Sequence, residues 1–254
     1  MTPQEHAARL LALHADPELL VLVNVWDVAS ARKVAEQPGC RAIATASAAI
    51  AAMFGYPDGE HIPVDLMLDM TARIAAAVEL PVTADLEAGY GDVGETVRRA
   101  IAAGAVGGNL EDEMRPLDEA VAAVSAACEA AESEGVAFVL NARTDAFLMA
   151  GERDPEEVLA DAIARGQAFL AAGAACVFVP GWQDADTIAK LVDGLGPRKL
   201  SLLGFPGTPQ PPELAALGVA RVSYGPFPQL AVLGALDDLA ARLLSGDALP
   251  APGG

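Results

Sequence analysis

The feature that most limits how this chain can fold is a pattern that recurs four times, in which a helical stretch ends near a glycine and an apolar run follows at once. It occurs at 34–45 through Gly39, 100–110 through Gly104, 169–179 through Gly173 and 214–223 through Gly218. Glycine suits the left-handed conformation just past a helix end, so each is read as a short turn feeding a buried parallel strand. Short apolar runs near Val21, Ala42, Val82, Val106, Phe138, Val177, Leu200 and Val222 alternate with amphipathic stretches, giving roughly eight strands. Eight such units in 254 residues fit a (β/α)8 TIM-type barrel. The competing fold is a doubly wound open sheet. Its phosphate loop would follow a strand, whereas the glycine-rich patch Gly104–Gly108 precedes one, and there is no GxGxxG. No linker or shift in composition divides residues 1–247, which are read as one domain, and the Pro- and Gly-rich residues 248–254 as a flexible tail.

Charge narrows the function classes. Sixteen Lys and Arg against 35 Asp and Glu give a net charge of −19, which repels phosphate backbones and anionic lipid head groups and argues against nucleic acid or a membrane as partner. A small anionic substrate would need a bound cation or a local Arg to reverse the sign. Cys40, Cys128 and Cys176 have no metal or redox spacing and read as small buried hydrophobes of a reducing compartment. The first sixteen residues lack the features of a signal peptide, and no apolar run reaches the ~18 residues of a membrane span, so a cytoplasmic location is expected.

In a barrel the chemistry lies where strands end. The third apolar run closes on Asp85-Leu86-Glu87, and residues i and i+2 of a strand share a face, so both acids are expected in the barrel mouth. Two carboxylates held together need a cation or a cluster of donors, and hard oxygen ligands suit Mg2+; the alternative is a pair of solvated loop acids. The fourth run leads into Glu111-Asp112. The fifth carries Asn141 and, two residues on, Arg143, whose guanidinium suits either a substrate carboxylate or a structural pair with Glu111 or Asp145. His6, His14 and His61 show no zinc-type spacing, and only His61 lies near a motif. Trp26 and Asp27 follow the first run, with core packing a sufficient reason for the Trp.

The segments Asp85-Leu86-Glu87-Ala88-Gly89-Tyr90-Gly91, Leu110-Glu111-Asp112, Ala142-Arg143-Thr144-Asp145-Ala146-Phe147 and Gly55-Tyr56-Pro57-Asp58 resemble, in the same order, motifs of the isocitrate lyase and phosphoenolpyruvate mutase superfamily. The resemblance covers most of the chain. It implies Mg2+, with Mn2+ as the alternative ion, held directly by Asp85 and through water by Asp58, Glu87 and Glu111. It implies catalytic roles for Arg143 and Asp58, Arg143 holding a substrate carboxylate or oxyanion. It also implies a substrate clamp after the second run, where this chain reads Thr45-Ala46-Ser47-Ala48 and the usual Ser is displaced by one.

One departure bears on the substrate. Isocitrate and methylisocitrate lyases of the superfamily carry a Lys-Lys/Arg-Cys-Gly-His loop after the fourth-strand acids. This chain has Glu113-Met114-Arg115-Pro116-Leu117 there, with neither Cys nor His, and the longer basic loop of phosphoenolpyruvate mutase is missing as well. The resemblance then implies a Mg2+-dependent C–C lyase or decarboxylase acting on a small 2-oxo acid through an enolate. The alternatives are a hydrolase of related acids and a regulatory protein that binds without turnover. Relatives of this kind assemble as homo-oligomers that exchange a C-terminal helix.

Overall fold

The computed structural model describes residues 1–249. Among them, nine strands are joined by ten helices: α1 (Pro3–Ala15), β1 (Leu20–Leu22), β2 (Asn24–Val25), α2 (Val28–Ala35), β3 (Ile43–Thr45), α3 (Ser47–Met53), α4 (Val64–Ala77), β4 (Val82–Asp85), α5 (Val93–Ala102), β5 (Gly107–Glu111), α6 (Leu117–Ser133), β6 (Val139–Arg143), α7 (Pro155–Ala171), β7 (Cys176–Val179), α8 (Ala185–Leu195), β8 (Leu200–Leu203), α9 (Pro211–Leu217), β9 (Arg221–Ser223) and α10 (Phe227–Leu244). All neighbouring strands are parallel, in the order β1-β9-β8-β7-β6-β5-β4-β3-β2. This is the (β/α)8 barrel, with one amendment. The first strand is broken at Val23, so that β1 pairs with β9 while β2 pairs with β3.

The side chain of Asn24 seals that break. Its Nδ2 donates to the Thr45 carbonyl at 2.8 Å, and its Oδ1 accepts from the N–H groups of Tyr224 (2.7 Å) and Gly225 (2.9 Å). One amide thereby replaces ladder bonds on both flanks of the seam.

The turns form for the expected local reason. Gly104, Gly173 and Gly218 follow the ends of α5, α7 and α9 at φ +95°, +110° and +90°. Gly39 is also left-handed, but α2 ends earlier, at Ala35. Side chains of Asp27, Asp92, Asp154 and Asp184 cap α2, α5, α7 and α8 by accepting first-turn N–H groups. Gly107 has a packing role: a Cβ there would meet Leu10 of α1 at 2.8 Å. Helix α1 closes the bottom of the barrel, where Ala7, Leu10 and Leu13 pack with Leu20, Leu22, Ala44, Val106 and Val139.

The cysteines divide. Cys176 is buried, but Cys40 and Cys128 are only partly so, because they face the helical layer instead of the barrel interior. No helix of the described residues is long and apolar enough to cross a membrane. Of the expected tail, residues 250–254 lie outside the described residues.

Candidate active site

At the C-terminal mouth of the barrel lies a cavity of about 120 Å³, lined by Asp58, Asp85, Asn109, Arg143 and residues 46–48 together with the apolar Leu148, Phe178, Pro180, Leu203 and Pro226. A roomier pocket of about 400 Å³ beyond β8 and another of about 500 Å³ between α2 and α10 contain no cluster of carboxylates. Trp26 and Asp27 line the latter, away from the mouth.

Asp85 ends β4. Its Oδ2 accepts from the Ser47 N–H (3.2 Å) and Ser47 Oγ (2.9 Å), and its own N–H donates to Thr45 Oγ1 at 2.9 Å. Ser47 and Ala48 therefore line the cavity, while Thr45 stands behind Asp85 as its support. Asp58 sits exposed at the rim, with Ser47 Oγ 3.4 Å from its Oδ1.

Glu87 departs from the strand argument. Strand β4 stops at Asp85, and Glu87 takes a left-handed φ of +50°, which ends the alternation of faces. Its carboxylate is buried outside the cavity lining, where it accepts from the Glu60 N–H and the Tyr90 hydroxyl. Glu60 in turn accepts from the Tyr90 N–H at 2.6 Å. Burial, and then hydrogen bonding to Glu87, raise the Tyr90 pKa.

Arg143 carries both readings at once. It lines the cavity, and it is also paired with Glu111 (Nη1 to Oε2, 2.6 Å) and Asp145 (Nε to Oδ1, 2.7 Å). Burial works to lower its pKa, but Glu111, Asp145 and Asp85 together raise it. Glu111 is pushed up to about 8, first by burial and then by Asp85, Asp145 and Glu87, against the pull of Arg143. Glu87 and Asp58 are also raised, by burial first and with Asp85 adding to both. Asp58 is exposed, so the effect there is the most screened.

This donor set fits a hard divalent cation. Asp85 lies close enough to Asp58, Glu87 and Glu111 to help raise the proton affinity of each, and all four are oxygen donors without His or Cys. Among the described residues no three acids close around one point, so Asp85 would hold an ion mainly in the company of water, as Mg2+ commonly is held.

The segment Glu113–Leu117 is a tight turn with left-handed Glu113 and Met114 that runs straight into α6. Arg115 is spent on the carbonyls of Glu111 and Asp112, and neither Glu113 nor Arg115 lines the cavity. Asp112 pairs with Arg165 at 3.1 Å and accepts from the Asp145 N–H, a structural role. His61 is exposed.

The acids that end β4 and β5 thus stand near the paired Arg that ends β6. The chain belongs to the phosphoenolpyruvate phosphomutase family. That family's profile matches residues 10–244. An oxaloacetate decarboxylase of Chromohalobacter salexigens is 31% identical over 88% of this chain and 81% of its own. A solved structure from Burkholderia cenocepacia, provisionally described as a phosphonomutase, is 43% identical, with a TM-score of 0.88 over 93% of this chain and 99% of its own. Phosphonopyruvate hydrolase solved with oxalate and Mg2+ is 27% identical, with a TM-score of 0.83 over 99% and 92%. Of the acids singled out in the sequence, Asp58 and Asp85 line the cavity, whereas Glu87 and Glu111 lie behind its lining. Asn24, Glu60, Asn109 and Arg221 were not singled out, although Asn109 lies two residues before Glu111 and the same-face rule reaches it.

Proposed function

We propose that this protein is a Mg2+-dependent lyase that breaks a C–C bond of a small 2-oxo acid, with oxaloacetate as the first substrate to test. The observation that carries the reading is that Asp85 and Arg143 line one small cavity together with Ser47 and Ala48. Asp85 would hold the ion, with Asp58, Glu87 and Glu111 taking its waters. A bound Mg2+ supplies Lewis acidity toward the carboxylate and keto oxygens of such an acid.

The chain's own residues do the rest. Arg143 orients a carboxylate oxygen and stabilises charge that grows on the substrate as the bond to C3 breaks. Leu148, Phe178, Pro180 and Leu203 enclose the departing group in an apolar wall, which disfavours a carboxylate and favours its loss as neutral CO2. Water then protonates C3, since no Cys or His stands on the cavity wall. Hydrolysis, the activity of the phosphonopyruvate relative, ranks second: the lining holds one cationic side chain, already shared by two acids, to receive a phosphonate.

Self-association belongs to the same proposal. In α10 only Gln229 is buried, while Leu230, Val232, Leu233 and Leu236 are each about half exposed or more. An apolar face of this length fits a second copy of the chain.

The test is pyruvate and CO2 release from a panel of 2-oxo acids with and without Mg2+. Metal-dependent turnover of oxaloacetate, lost in Asp85→Ala, is expected. Binding without turnover of any acid would favour the regulatory alternative.

A further inference from the structure

Arg221 is the largest fully buried side chain among the described residues, 1% exposed inside the barrel. Among the described residues no carboxylate pairs with it. Its one hydrogen bond there runs from Nη2 to Asn109 Oδ1 at 3.3 Å, while Nε and Nη1 have no partner. Burial lowers its pKa to about 10, which leaves it a cation at neutral pH. An unpaired buried charge opposes folding, so its presence calls for a reason other than stability.

Asn109 supplies one. A guanidinium has only donors, so the Asn109 atom that faces Arg221 must be the oxygen. Asn141 Nδ2 donates to the same oxygen at 2.8 Å. With Oδ1 held from two sides, Nδ2 is turned away from both; it makes no hydrogen bond within the protein, yet it is not sealed from solvent. Asn109 lines the cavity and is the register partner of Asp85. Several donors around the cavity are engaged within the protein: Ser47 on Asp85, Asn24 on Thr45, and Arg143 Nε and Nη1 on Asp145 and Glu111. Among the described residues Arg143 Nη2, the Ala48 N–H and the Ser223 hydroxyl stay open, and the hydroxyl can also accept. The Asn109 amide nitrogen can only donate.

We propose that Asn109 is a substrate-contacting residue whose amide nitrogen, turned into the cavity by the buried guanidinium of Arg221, donates to the oxygen of the bound acid that lies beside Asp85. Arg221 is a positioning residue: it fixes the amide and adds positive potential beneath the oxygen where charge develops. The inference rests on the proposed 2-oxo acid site.

Oxalate binding by calorimetry at saturating Mg2+, together with thermal melting and Mg2+ affinity alone, tests it. Asn109→Ala should weaken oxalate about three- to tenfold, the loss of one neutral hydrogen bond, with Mg2+ affinity unchanged. Arg221→Met should weaken oxalate in the same direction while melting at or above the wild-type temperature, because an apolar side chain replaces an unpaired charge. A merely structural Arg would not separate the two readouts in this way. Arg221→Lys, which keeps the charge but loses the fork, should fall between. Wild-type oxalate affinity in Asn109→Ala would overturn the contact. The same result in folded Arg221→Met would overturn the positioning role, and if that variant fails to fold, Arg221→Lys with wild-type affinity would do so. Wild-type protein that binds no oxalate with Mg2+ would instead sink the 2-oxo acid site itself, and this inference with it.

Discussion

Glu111 makes the metal-free protein sensitive to pH in a direction that can be worked out in advance. Its carboxyl is raised from an ordinary 4.5 to about 8, chiefly by burial, and its side chain is 14% exposed. Between those two values the folded state binds more protons at this site than the unfolded chain does, so stability falls as pH rises. It is fully present below the unfolded value and lost by the time pH passes the folded one. Each tenfold change in proton affinity is worth about 1.4 kcal/mol, which sets a ceiling near 5 kcal/mol for this group. Even about 2 kcal/mol would lower the melting temperature of a chain of this size by roughly 4–8 °C. Glu87, Asp58 and Asp145 are raised as well and act in the same direction. Thermal melts of EDTA-treated protein should therefore shift downward from pH 5 to pH 8. Mg2+ should flatten the profile by neutralising the cluster, and Glu111→Gln should remove the largest share of the slope. A metal-free melting temperature that is constant or rising across this range, or a Gln variant with the wild-type slope, would refute the reasoning.

Arg143→Ala should weaken Mg2+-dependent oxalate binding by about ten- to a hundredfold, the worth of a charge-assisted bidentate contact. Arg143→Lys should fall between it and wild type, and equal oxalate affinities in all three proteins by calorimetry would leave only the ion-pair role. Isocitrate should yield no glyoxylate in a coupled assay, because the Glu113–Leu117 turn offers no proton donor to the cavity. Efficient cleavage would show that a residue outside the cavity lining moves in. Leu236→Glu, placed on the exposed face of α10, should shift the protein toward monomer in light scattering at micromolar concentration. An unchanged mass would mean that this face is not the contact.

The sequence by itself determined the barrel and the places of its candidate site residues. Left-handed glycines after α5, α7 and α9, and apolar runs of strand length, are local signals, and local sterics suffice to set them. Asp85 at the end of β4, Glu111 at the end of β5 and Arg143 at the end of β6 could be placed because a strand end follows from its apolar run. Tertiary structure decided what those residues touch. Glu87 left the face that alternation assigned to it because its left-handed backbone turns the carboxylate to Glu60 and Tyr90, contacts that exist only once the loops after β3 and β4 meet. Arg143 proved to be both a cavity residue and an ion-paired one, a choice that burial made and spacing could not. Asn24 seals the seam by bonding to Tyr224 across 200 residues of chain, and Arg221 meets Asn109 across 112. Such pairings arise when a sheet closes on itself, and no periodicity along the chain encodes which inward-facing residues closure will bring together.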